Sequence, residues 1–135
     1  MIAEHESSPA LARFLSGQQD PASFRHADHV RVAFELLRRR PFLRAAQIYA
    51  RQVQRLAALA GNPQAYHETV TLAFLSAINE RMSANPDVTF ESFAAANPDL
   101  MEKGALSRWY SKEQLASAIA RRTFVLPLPA ATHSV

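Results

Sequence analysis

Proline placement constrains this chain more than any other feature of its sequence. There are eight Pro, and they fall between stretches of helical periodicity rather than inside them. A proline lacks the backbone N–H and clashes with the preceding turn, so it is tolerated in the first turn of a helix and disruptive within one. Ser8-Pro9, Asp20-Pro21 and Asn62-Pro63 each pair a capping residue with such a start, Asn97-Pro98 breaks a segment, and Pro41 both ends one helix and begins the next.

Between these marks the apolar residues recur at helical spacing. A short helix is expected from Pro9 to Gly17, and a second from between Pro21 and His26 to about Arg39, with Val30, Ala33, Phe34 and Leu37 on one face. A third begins at Pro41, carries Ala45, Ala46, Tyr49, Val53 and Leu56 in a stripe, and closes at Gly61. A fourth is expected from Asn62-Pro63, with Val70, Phe74, Ala77 and Ile78 inward, fading near Ser83. Thr89 opens a fifth with Phe90, Phe93 and Ala94. Ser111-Lys112-Glu113-Gln114 is a capping box that starts a last helix with Leu115, Ala118 and Ile119 inward, followed by an extended tail at Phe124-Val125-Leu126-Pro127. No alternation of strand length survives, and there is no internal repeat, low-complexity segment or Gly-rich phosphate loop. The expected fold is all-α: a single domain over residues 1–135, a bundle of three longer helices plus shorter ones, ordered over about 9–128 and frayed at both ends.

Composition removes several classes of function. With 48% hydrophobic and 20% charged residues the chain is neither disordered nor collagen-like. It has no Cys, which excludes disulfides, thiolate metal sites and cysteine nucleophiles. Met1 to Glu6 is acidic and lacks the apolar core of a signal peptide, and no apolar run approaches the ~18 residues of a spanning helix, so a cytoplasmic protein with no membrane partner is expected.

Chemistry is expected at the histidines. His5 and His133 lie near the ends, whereas His26, His29 and His67 fall in the helical region. His26 and His29, three residues apart, occupy neighbouring positions on one helix face, and His67 falls on the apolar stripe of the fourth helix with Glu68 at its edge. The second and fourth helices begin at these residues; running parallel, they would bring His26, His29, His67 and Glu68 together. Three imidazoles and a carboxylate form a legitimate ligand set for Zn or non-haem Fe, while a His side chain also suits acid–base work near neutral pH. Against these stand a metal-free small-molecule pocket and a purely structural or capping role, since H-x-x-H lacks the i,i+4 spacing of a helical metal pair.

Around this cluster, Tyr66 joins His67 and Glu68 as the candidate catalytic group, with Glu68 able to orient an imidazole or simply to favour a helix start. Thr71, Tyr110 and Arg121 are the candidate ligand contacts; Thr69 and Thr71 could instead back-bond within their helix, and Trp109-Tyr110 could be a core anchor. The charge distribution supplies an alternative. Residues 25–60 hold eight Arg against Asp28 and Glu35, a net +6 in a chain of net +3. Arg44, Arg51 and Arg55 line one side of the third helix, so a non-catalytic module binding an acidic partner or nucleic acid through this face is the second reading. Nucleic acid is not the expected partner, because no aromatic residues interleave with the arginines; a small molecule is.

Three blocks carry a resemblance: Phe24-x-His26-x-x-His29, then Tyr66-His67-Glu68-Thr69-x-Thr71, then Ala120-Arg121-x-x-Phe124-Val125-x-Pro127. In that order they resemble a group of small, all-helical bacterial proteins of unassigned function, over about residues 12–128. The resemblance implies a compact helical fold and a shared polar cluster at His26, His29, His67, Glu68 and Arg121. It implies no reaction.

Overall fold

A computed structural model describes residues 8–129. The expected fraying of both ends, and His5 and His133, lie outside those residues. Among the described residues the structure is helical throughout, with no strand.

Helix α1 (Pro9–Ser16) begins where Ser8 caps it, the Ser8 hydroxyl accepting Leu11 N–H, and ends at Gly17, whose φ of 81° is left-handed. A side chain at Gly17 would be strained there and would also collide with the Arg55 guanidinium. A 3-10 turn at Pro21–Ser23 then leads into α2 (His26–Arg39), so Asp20-Pro21 starts a turn rather than the helix itself. The α2 start is held by Asp28, which accepts the Arg25 backbone N–H at 2.9 Å. Helix α3 spans Phe42–Leu59 behind Pro41, and α4 spans Glu68–Ser83. These are the three longer helices expected. Helix α5 (Phe90–Ala96) follows its Thr89 cap, 3-10 turns occupy Pro98–Met101 and Lys103–Arg108, and α6 (Lys112–Ala116) and α7 (Ala118–Arg122) close the fold.

Two sequence expectations are corrected. The fourth helix does not start at Asn62-Pro63, which makes only a 3-10 turn over Pro63–Ala65. It starts five residues on, because the His67 Nδ1 accepts Val70 N–H at 3.1 Å and serves as the N-cap. An imidazole lone pair here does what Ser or Asp usually does. The last helix is also not continuous: Ser117 breaks it and caps a new turn, its hydroxyl accepting Ala120 N–H at 3.2 Å. The break shifts the register, so Ala120 is buried and Ile119, expected inward, is 60% exposed.

α2 is the central element, packing on α1, α3, α4 and α5, and the main core joins Leu11, Phe14, Val30, Phe34, Tyr49, Leu75, Ile78, Phe93 and Leu100. Its buried charge is satisfied: Glu35 accepts the Ser8 N–H and hydroxyl and pairs with Arg31 Nε at 2.9 Å. A buried carboxylate needs such partners. The tail folds back as expected. Fully buried Thr69 donates to Thr123 C=O at 2.8 Å and accepts Val125 N–H, while the Tyr110 hydroxyl donates to Val125 C=O at 2.7 Å.

Candidate functional site

The N-terminal halves of α2 and α4 and the middle of α3 line a half-open cavity of about 550 Å³. Apolar residues form most of its wall, among them Phe24, Val30, Ala33, Val53, Val70, Phe74 and Leu75. His26, His29, Tyr49, Tyr66, His67 and Thr71 are its polar lining, with Arg25 and Lys103 at the same cavity. The three histidines singled out in the sequence therefore do reach one place. Volume and lining match a compact small-molecule site, which is mostly apolar with a few placed polar groups.

Each imidazole is held differently. His26 donates from Nε2 to Leu100 C=O at 3.1 Å. That carbonyl is positioned in turn by the Pro98–Met101 turn, which Arg81 clamps to α4 through a two-pronged pair with Asp99 at 2.8 and 3.1 Å. The Asp99 carboxyl is held below its usual range by the Arg81 hydrogen bond. The His26 ring also meets Phe74 edge-on, and its Nδ1 makes no bond among the described residues.

His29 pairs with Tyr49, Nδ1 to hydroxyl at 3.1 Å, across α2 and α3. The Tyr49 hydroxyl has no other partner among the described residues, so it donates to Nδ1, and the imidazole hydrogen stays on Nε2. Burial pushes the Tyr49 phenol well above its ordinary pKa. Burial likewise lowers His29 to about 4, with the charges of His26 and Lys103 adding and Asp28 opposing. His29 is thus a neutral, fixed donor at pH 7.

His67 has no valence left. Its Nδ1 accepts Val70 N–H and its Nε2 donates to Leu115 C=O at 2.6 Å. The capping role that the sequence left open is the one the geometry displays, and it ties α4 to α6. Replacing His67 by Ala is expected to cost about 2 kcal/mol, through a lost cap and an unpartnered carbonyl. His67→Asn, which keeps a capping oxygen but cannot reach Leu115 in the same way, should recover about half of this in urea denaturation.

The remaining candidates divide. Tyr66 donates to Glu68 Oε1 at 2.7 Å, and burial together with that bond raises the phenol pKa; Thr71 is itself buried. Tyr66 and Thr71 line the cavity, but Glu68 and Arg121 do not. They border a separate, open hollow of about 630 Å³, where Arg121 donates to Gln64 C=O. Tyr110 is in neither place: it packs with Phe74 and Leu106 and is spent on Val125, with burial raising its pKa. The four-ligand set expected for Zn or Fe is not assembled. Among the described residues no three His, Asp or Glu side chains are grouped to hold a metal ion. Sequence reading missed Tyr49 as a polar partner, and missed Arg25 and Lys103. A tyrosine in an apolar stripe was the available signal, since a buried hydroxyl must find a partner.

The arginine face is partly consumed internally. Arg31 pairs with Glu35 and Glu91, Arg38 donates to Pro86 and Val88 carbonyls and lies over Phe34, and Arg55 lies against Gly17. Arg44 and Arg51 remain exposed on α3. No helix of the described residues is long and apolar enough to cross a membrane.

Comparison with known proteins brings no relative to this geometry: no family model matches, and neither a curated protein nor a solved structure is detectably similar.

Proposed function

We propose that this chain is a small-molecule-binding protein whose ligand occupies the cavity between α2, α3 and α4. The observation that carries this reading is the wall itself. An apolar cavity of about 550 Å³ keeps a neutral His29 Nε2–H and a His26 Nδ1 lone pair without partners in the chain. Neither atom is sealed from solvent, so water completes these bonds in the free protein, and a ligand that replaces that water must supply their partners itself. A ligand with one acceptor and one donor would do so, while its hydrocarbon part covers the half-buried wall residues Val53 and Val70. Tyr49 and Leu100 orient the two rings; Tyr66, paired with Glu68, and Thr71 add further polar groups to the wall. His67 supports the wall as a cap.

A fragment library screened by thermal shift tests this. Stabilising fragments are expected for the wild type and not for Val53→Trp, which fills the cavity from a half-buried wall position, nor for Ala65→Trp at an exposed lining position. The absence of any stabilising fragment, or hits unaffected in both folded variants, would overturn the reading.

A further inference from the structure

The cavity is also charged in one sense. Arg25 and Lys103 both line it, and no Asp or Glu does. Neither cation forms an ion pair among the described residues. Asp28, on the first turn of α2, accepts the Arg25 backbone N–H, and Glu68 is turned to Tyr66. Two cations without ion pairs and an imidazole N–H, lining one cavity with aromatic walls, describe the complement of a particular ligand class.

Resting on the small-molecule reading above, we propose that the ligand is an organic monoanion: a carboxylate on a flat apolar body, its charge met by Arg25, Lys103 and the His29 Nε2–H, its body against Phe24 and Phe74. A carboxylate accepts from all three donors, and such charge-assisted bonds are the strong ones. A protonated amine would instead face two like charges with no carboxylate in the wall to answer them. The low proton affinity of His29 comes first from burial, and Lys103 adds to it while Asp28 opposes, so the lysine charge reaches the imidazole at the cavity wall. The His26 Nδ1 lone pair would accept from a hydroxyl or N–H elsewhere on the ligand.

Calorimetric titration with 2-naphthoate and its uncharged isostere 2-naphthamide separates charge from shape. The acid is expected to bind at least about tenfold more tightly than the amide at low salt, the advantage of a charge-assisted pair, and to weaken as salt rises. In an Arg25→Gln/Lys103→Gln double variant, whose changes are at exposed positions, the acid should fall to the level of the amide. Equal binding of acid and amide would overturn the anion while leaving the cavity reading intact. So would a preference for the acid that survives the double variant, or binding of neutral fragments alone. If no fragment of any charge binds, the cavity reading falls first and takes this one with it.

Discussion

Acidification from pH 7 to pH 4 is expected to remove about 3 kcal/mol of folding stability through His29 alone. The ring is largely buried between Phe24 and Tyr49, with centroids 4.4 and 6.3 Å away, and its pKa falls from 6.5 to about 4. An unfolded chain takes up the proton near 6.5, whereas the folded chain resists until about 4. Stability from this residue is therefore intact above pH 6.5, declines as pH falls toward 4, and is level below that. A shift of this size corresponds to about 3 kcal/mol. Denaturant unfolding of the wild type and of His29→Gln at several pH values isolates the effect, since all other groups titrate in both. The difference between the two proteins should follow that window; a difference that does not change with pH would contradict the burial of His29. Asp99 acts elsewhere on the scale, because its pKa is lowered and its contribution is lost only under more acidic conditions. An anion seated in the cavity would favour the His29 imidazolium, so a bound carboxylate should flatten the same profile.

Replacing Phe14 by Ala is expected to cost about 3–5 kcal/mol, the range for truncating a buried aromatic ring. Phe14 is 1% exposed, and its ring stacks on Phe24 at 5.5 Å and meets Tyr49 at 5.9 Å. Phe14 does not line the cavity, but both partners do. The variant should consequently weaken ligand binding as well as folding, by freeing the wall that holds Tyr49 against His29. Phe14→Leu should cost less, roughly 1–2 kcal/mol, and keep binding close to wild type. Loss of stability without any change in binding would show that α1 does not brace the site.

Signals that act within a few residues were legible in the sequence. Ser8-Pro9, Pro41, Thr89 and Ser111 mark helix starts where the chain has them, and the stripe of α2 is buried, although Val32, Leu36 and Glu35, the last expected on the opposite face, are buried with it. The convergence of His26, His29 and His67 was also readable, from two helices starting at one end. What each imidazole does was not, because the partners are remote: Leu100 lies 74 residues from His26, and Leu115 lies 48 from His67. The late start of α4 has the same origin, as nothing local distinguishes a capping imidazole from a helical one. Arg25 and Lys103 come to one cavity from segments 78 residues apart, and the Lys103–Arg108 turn that carries Lys103 is tied to Asp99 through Arg108. Glu68 follows His67 directly, yet on opposite sides of a helix start the two face different hollows.

The most direct measurement is nitrogen-15 NMR of the histidine rings while a stabilising fragment is titrated into the protein. A ligand in the cavity should move the His29 Nε2 and His26 Nδ1 resonances in step with binding, move His67 least, and do neither in Val53→Trp. Saturation with both His29 and His26 unmoved would place the ligand elsewhere and contradict the cavity as the functional site.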